Sequence, residues 1–421
     1  MKRTSALIKN GIVLSLLTST LLHATNGDNL IAVGAKARGM GGTGIAVSHG
    51  AESTLSNPAM ITSIEGTEIS FGGTLFMPTI DATISGAMLP SQRNGSSAAD
   101  TNIIPEVSIA HKINDNWYIG AGMFGTAGMG VDYRDSTLNP MVGQFGNFNM
   151  ITNLQLLQFA VPVAYKYDGF SVAVAPILQY GNLDINYKMP NPLTGSIDNI
   201  GSGLAQDFGF GFTAGASYDF NNGLVLGAMY KSAIEMEYDK QLTTAMAPFT
   251  AQGIPLGNLT DKLEQPAEYG VGIAYTMEGH TVAFDYKKIE WSAAAGYGDF
   301  GWEDQDVFAV GYQYTQDNWA MRLGYNYAES AVVNLIETGN GVASSLNFFN
   351  ALGFPATAEQ HYTFGGTYNL TEAFGIDLSY VYSPTSDIVL DTPAFSRSFG
   401  IDSLAASHQE NSISVQLTYN F

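Results

Sequence analysis

The last ten residues of the chain alternate without a break. Ile413, Val415, Leu417, Tyr419 and Phe421 share one face of a strand, and Ser412, Ser414, Gln416, Thr418 and Asn420 share the other, because successive side chains of a strand point to opposite sides. The pattern recurs upstream. Phe170, Val172 and Val174 oppose Ser171, Ala173 and Ala175; Phe208, Phe210 and Phe212 oppose Gly209, Gly211 and Thr213; Trp319, Met321, Leu323 and Tyr325 oppose Ala320, Arg322 and Gly324. A soluble antiparallel sheet gives one such strand readily. Repetition along the chain, with a polar, Gly-rich second face, points to strands that meet lipid on one side and a lumen on the other.

Composition narrows the choice. Charged residues are only 13 % and aromatic residues 12 %, carried by 22 Tyr and 23 Phe, against about 25 % charged in soluble domains. Mean hydropathy is nonetheless only +0.04, and no later stretch is apolar enough for a spanning helix. Backbone groups in lipid must be satisfied internally, so the remaining solution is a closed β-barrel. A terminal Phe, as at Phe421, is the usual ending of outer-membrane barrels. Tyr and Trp near the ends of the runs suit interfacial girdles.

Connections alternate between short and long. Asn114-Asp115-Asn116, Tyr167-Asp168-Gly169, Asn221-Asn222-Gly223, Glu278-Gly279-His280, Gln316-Asp317-Asn318 and Thr371-Glu372-Ala373 are hairpin turns. Long loops are expected near 81–102, 131–152, 188–207, 241–265, 292–304, 330–358 and 386–408. Seven long loops and six short turns predict an antiparallel barrel of about fourteen strands, with the turns periplasmic and the loops outside.

The chain before the barrel divides in two. Residues 1–24 read as a cleaved signal peptide, with Lys2, Arg3 and Lys9 ahead of an apolar stretch that is too short to span a bilayer and that ends at Leu22-His23-Ala24. Export and the absence of cysteine exclude thiol chemistry and a disulfide scaffold. Residues 25–66 lack alternation, are rich in Gly and Ala and close on Asn57-Pro58-Ala59. Such small residues let backbone pack on backbone, so the segment is expected to be a compact, partly helical hatch plugging the lumen of a barrel over 67–421. Asp28 is expected to cap a helix over 29–37, with another turn over 51–55 ending before Pro58. A mobile terminal arm is the plainer alternative.

The Gly/Ala-rich opening with Asn57, Pro58 and Ala59, the fourteen-strand reading, and Gly353-Phe354-Pro355-Ala356 followed by Glu359, His361, Tyr362 and Thr363 resemble the FadL/OmpP1/TodX family of outer-membrane transporters for long-chain fatty acids and other hydrophobic compounds. The resemblance spans essentially the whole exported chain. It implies capture of ligand by apolar surface loops, a lumen pocket above the hatch, gating by the hatch, and lateral release through the wall at an inward kink of the third strand. No cofactor is implied, and the family suggests a monomer, since a closed barrel leaves no edge to pair.

Residues suited to these roles follow. Phe249, Ile254 and Leu256 in one long loop and Phe348 and Phe349 in another are candidates for hydrophobic capture; the bland reading is that the two loops pack on each other as a lid. Asn57, Pro58 and Ala59 are candidates for hatch gating. Gly120, Gly122, Gly125 and Gly128 permit a kink in the third strand, or else make room for the hatch. Lys231, Lys287 and Arg322 fall on inward positions and are candidates for a carboxylate head group, or for pairing with Asp285, Glu235 or Asp377.

Other classes are poorly served. No catalytic residues are assigned: the six histidines show no metal-ligand spacing, and no nucleophile–base set, phosphate loop or dinucleotide fingerprint stands out. Without its three leading basic residues the chain carries 14 Lys+Arg against 38 Asp+Glu, a formal charge of −24, which disfavours nucleic acid as a partner. The candidate functions are transport of long-chain fatty acids, transport of aromatic or alkane hydrocarbons, or a structural or adhesive barrel. An open general porin is disfavoured by the hatch.

Overall fold

A computed structural model describes residues 25–87, 92–136, 138, 148–191, 194–256 and 259–421; the expected signal over 1–24 lies outside the described residues. Fourteen antiparallel strands form a closed barrel. They are β1 (Thr67–Ser85), β2 (Asn102–Lys112), β3 (Trp117–Asp132), β4 (Ile151–Ala160 and Val163–Tyr167, broken at Pro162), β5 (Phe170–Pro190), β6 (Ala205–Asp219), β7 (Leu224–Lys231), β8 (Glu268–Met277), β9 (His280–Ile289), β10 (Gln305–Gln316), β11 (Trp319–Tyr327), β12 (Gln360–Asn369), β13 (Phe374–Asp391) and β14 (Ser403–Asn420). Each pairs with the next, and β14 closes on β1 from Asn420↔Glu68 to Ser403↔Ser85. Closure is what lipid demands, because an open edge would leave a row of unpaired amides in hydrocarbon.

The short turns form as their residues dictate. Asp168-Gly169 and Glu278-Gly279 both take positive φ at their two positions, the geometry whose twist matches the flanking strands. Several strands run further than the alternation suggested: β1 reaches Ser85, β13 reaches Asp391 and β14 begins at Ser403, inside segments expected to be loop.

The reason is a reversal of polarity along single strands. On the lower part of β1, Phe71 and Leu75 face out while Glu68, Ser70 and Thr74 are buried inside; higher up, Thr79 and Asp81 face out while Ile80, Ala82 and Ile84 are buried. β14 does the same, with Ser412, Ser414, Gln416 and Thr418 inside below and Leu404 and Ala406 inside above. On β5, Leu183, Ile185, Tyr187 and Met189 are buried inside. The inner face is therefore not polar throughout. The lower lumen is polar; the upper lumen, where the wall rises past the lipid-facing belt, is apolar.

The polar half holds residues 25–66. Here Thr25–Asn26 and Asn29–Leu30 form a small antiparallel pair, followed by α1 (Ala35–Gly39), α2 (Ser53–Ser56) and a 3-10 turn over Pro58–Ser63. The helix expected over 29–37 is corrected to Ala35–Gly39: Asn29 and Leu30 are extended, and Asp28 does not cap because its carboxylate is taken by Tyr297 and Gln265. Asn57 does cap, accepting from Ala59 N at 3.1 Å while its amide donates to Ile45 O at 2.7 Å and Ala216 O at 3.2 Å.

Hatch backbone and wall backbone nearly touch. A Cβ on Gly227 would lie 2.0 Å from Ile45 O, and one on Gly324 2.1 Å from Gly41 N. Only glycine fits such an approach. Overpacking of this kind costs about 1–3 kcal/mol, and the hatch, which lies outside the closed ladder of fourteen strands, is the part able to yield. Gly324→Ala is therefore expected to leave the barrel heat-modifiable on gels while raising protease cleavage within residues 25–66; unchanged cleavage would show that the hatch does not rest on this wall.

Candidate functional site

The wall changes character on β3. Below, it pairs with β2 from Lys112↔Tyr118 to Glu106↔Phe124. Above Phe124 that ladder stops. Asn102, Ile103, Ile104 and Pro105 of β2 pair only with β1, and β3 has a bulge at Thr126, between Gly125↔Leu157 and Ala127↔Leu156 on β4. From Phe124 to Val131 every residue of β3 is buried, whereas a strand in the wall would expose alternate residues. β3 has bent inward. It meets the rest of the wall again where Ala98 N donates to Asp132 O at 2.8 Å. The interval between β2 and β3 is an interruption in the barrel wall.

The hatch fills the vacated pairing. Asn29 pairs antiparallel with Ala127, and Gly128 N donates to Asp28 O at 3.0 Å. Leu30 packs with Phe76 of β1 and Ile104 of β2. Of the predicted kink glycines, Gly125 and Gly128 sit at the bend. Gly120 and Gly122 lie below it in regular pairing with Ala110 and Ser108.

Behind this seal lies a cavity of about 100 Å³. Leu30, Ile31, Val33, Ile45 and Leu55 line it from the hatch, and Thr126, Met229, Val307 and Ala309 from the wall. Lys231, Lys287, Glu268 and Asp285 also reach it. Both lysines are held by Glu268, at 3.2 Å and 2.8 Å, which is none of the partners expected for them. Asp285 instead accepts from Gly44 N at 2.7 Å and Ile45 N at 2.9 Å. Asp28, anchored to Tyr297 and Gln265, is buried deeply enough that its carboxyl rises to about 6 despite those bonds.

Arg322 is elsewhere. It donates to Gln313 and Thr367 at 2.6 Å and 2.7 Å and lies 3.7 Å from Asp377. These residues face a vestibule of about 530 Å³ that also includes Trp319, Glu372 and Asn420, at the short-turn end of the barrel. Arg322 is thus separated from Lys231 and Lys287 by the hatch, and the three do not form one head-group site.

The capture residues are also redistributed. Phe249, on a helix over Gln241–Ala251, and Phe348 and Phe349, on a helix over Val342–Leu352, are buried. Their ring centroids lie 5.5–5.8 Å apart, and Phe395 and Phe148 extend the cluster. They close the apolar upper lumen as a lid and are not presented to the outside in this conformation. Ile254 and Leu256 are half-buried at the lid's margin, while Leu204 and Ile336 are exposed at 56 % and 76 %.

One feature escaped sequence reasoning altogether. Arg38 of α1 grips Glu106 of β2 with two nitrogens, at 2.5 Å and 2.9 Å, and Glu106 also accepts from Gly34 N at 3.1 Å. Both side chains are buried. Glu106 is the last β2 residue paired to β3 below the interruption. The hatch is therefore fastened to both sides of the interval it seals.

Over residues 24–421 the chain is matched by a family model described as "Outer membrane protein transport protein (OMPP1/FadL/TodX)". The chain belongs to this family. Its members are outer-membrane transport proteins, not enzymes. Outer membrane protein P1 of Haemophilus influenzae is 23 % identical over 87 % of this chain and 89 % of its own length. The long-chain fatty acid transport protein of Escherichia coli O6:H1 is 25 % identical over 68 % and 73 %. Among solved structures, the Pseudomonas putida toluene transporter TodX is similar in fold, with a TM-score of 0.68 at 18 % identity, covering 93 % of this chain and 99 % of that one. A Pseudomonas aeruginosa FadL homologue gives 0.69 at 17 %, covering 94 % and 100 %.

Removing one partner of a buried ion pair strands the other, at about 3–5 kcal/mol. Arg38→Met is expected to free the hatch while the closed barrel persists, seen as larger single-channel conductance in planar bilayers. Conductance equal to the parent's would mean that the pair is not a fastening.

Proposed function

We propose that this family member carries long-chain fatty acids or similar hydrophobic compounds, aromatic and alkane hydrocarbons among them, from the cell exterior into the outer membrane. The observation that supports this most directly is the interruption between β2 and β3, sealed from inside by Asp28–Leu30. Water is a poor solvent for such cargo, and transfer into lipid gains about 25 cal/mol per Å² of apolar surface. A route that leaves sideways through the wall delivers the cargo to hydrocarbon without crossing the polar lower lumen.

In this reading, cargo reaches the apolar margin near Ile254 and Leu256 and passes beneath the lid of Phe249, Phe348 and Phe349. It occupies the cavity beside Thr126, and leaves when the hatch strand parts from β3. Asn57, Pro58 and Ala59 hold the hatch against β6 while Asp28–Leu30 moves. The polarity of the cavity bears on the ligand. Lys231 and Lys287 share the carboxylate of Glu268, and Asp285 stands at the same cavity, so the four charges balance; a carboxylate head group would bind by drawing one lysine away from Glu268. An uncharged hydrocarbon would need only the apolar lining. Closed on itself, the barrel works as a monomer.

Two experiments test this. The chain has no cysteine, so Asn29→Cys/Ala127→Cys places the only thiols on directly paired residues, within the span a disulfide bridges. Oxidised protein should lose at least tenfold in hydrocarbon uptake by liposomes and regain it on reduction; undiminished uptake in the oxidised form would end the lateral route. Lys231→Ala is expected to weaken fatty-acid binding several-fold by titration calorimetry and leave hydrocarbon uptake unchanged. Equal fatty-acid affinity would remove Lys231 from head-group recognition.

A further inference from the structure

Above the hatch, three ionisable side chains from two strands meet, with no other charged group against them among the described residues. His361 of β12 places Nε2 3.1 Å from Glu410 Oε2, and His408 of β14 places Nε2 3.3 Å from Glu410 Oε1. All three are buried. The remaining described neighbours carry no charge. Across β14 stand Ile80 of β1 and Ser386 of β13. Pro78, Gly128, Met129, Gly130, Pro355 and Ala356, with Thr25 and Gly27 of the hatch, line a small cavity against His408.

The hydrogens of this group can be counted. His408 Nδ1 lies 3.0 Å from Pro355 O. A carbonyl only accepts, so Nδ1 carries a hydrogen, and the neutral ring then has a bare Nε2. That bare nitrogen faces Glu410 Oε1, and neither atom has another hydrogen-bond partner. An ionised carboxylate and a bare imidazole nitrogen would oppose two lone pairs in a buried site, where an uncompensated polar contact is costly. The other carboxylate oxygen is served by His361 Nε2–H. The arrangement as built requires one more proton, between His408 Nε2 and Glu410 Oε1.

That proton holds something specific. Pro355 belongs to the buried segment Gly353–Ala358, whose Gly353 O accepts from Thr152 of β4 at 2.6 Å. The segment is a strap tied to β4 at Gly353 and to His408 at Pro355. Its Pro355 and Ala356 face Gly128–Gly130, the part of β3 that has left the wall. We propose that one titratable proton at His408 Nε2, facing Glu410 Oε1, fastens this strap across the inner side of the β2–β3 interval, and that its loss as the pH rises loosens the strap and eases passage. This rests on the transport reading above for its consequence, though not for its chemistry.

The test uses the full chain in detergent and in liposomes, with toluene as an uncharged probe that cannot titrate. Backbone hydrogen exchange in a peptide covering Ala356–Ala358, corrected for intrinsic chemical rates, should rise at least tenfold from pH 4.5 to pH 9, and toluene uptake should rise several-fold with it. In Glu410→Gln the amide supplies a permanent donor to His408 Nε2, so both readouts should be flat. If that variant fails to form a heat-modifiable barrel, His408→Gln, which lacks the titrating ring, should also be flat. A parent protein without pH dependence in exchange, a variant that keeps the parent's profile, or a dependence that disappears on chelation and so belongs to a metal would each overturn the proposal. Absence of toluene uptake at every pH, with the exchange profile intact, would defeat the transport reading and leave the titratable proton standing.

Discussion

Every backbone amide within the hydrocarbon must find a partner in the protein, and this chain meets that demand in two ways. Thirteen of the fourteen strand junctions are met by neighbouring strands alone. At the remaining one, β3 leaves β2 above Phe124 and takes part of its pairing from the hatch, through Ala127 and Gly128. The rest of the molecule follows from that substitution. The hatch has to sit high enough to reach Ala127, so the lower lumen must be polar enough to receive its exposed amides and carboxylates. It has to be held on the β2 side as well, which is what the buried Arg38–Glu106 pair does.

Much of this was legible before any coordinates. Alternation over Ser412–Phe421 and Phe170–Ala175 reports lipid on one side of a strand, and turn residues such as Asp168-Gly169 mark hairpins locally; both are properties of a few adjacent residues. The strand count followed from them. The reversal of polarity on β1 and β14 was missed because the periodicity stays at two and only its phase relative to the surroundings changes: Thr79 and Asp81 facing out read as loop residues when the belt of lipid is assumed to run the length of the strand. The helix expected at Asn29 failed for a related reason. Extended pairing with Ala127, nearly a hundred residues away, outweighed the capping preference of Asp28. Neither the pairing of both lysines with Glu268 nor the separation of Arg322 from them has a local signature. The aromatic loop residues were recognised as a group, but which side of the lid they face depends on how two distant helices dock.

The lumen divides by chemistry into two compartments. Below, buried carboxylates and cations are matched by hatch amides, as where Asp285 accepts from Gly44 and Ile45. Above, aromatic and aliphatic side chains predominate, and among the described residues His361, His408 and Glu410 form a buried ionisable group there. The hatch is the boundary between them, and the cavity at Leu30–Val33 straddles it. Polarity therefore increases downward through the lumen, and the interruption between β2 and β3 lies at the level of the boundary.

The glycines that face the hatch limit what the wall can tolerate. Strand glycines weaken their own ladder by roughly 0.5–1 kcal/mol each, and Gly227 and Gly324 lie on strands that can admit nothing larger while the N-terminal segment is seated. That side of the cylinder is thus thin-walled and braced from within. A side chain at either position and a seated N-terminal segment therefore exclude each other, so the occupant of the bore dictates what its wall can be made of.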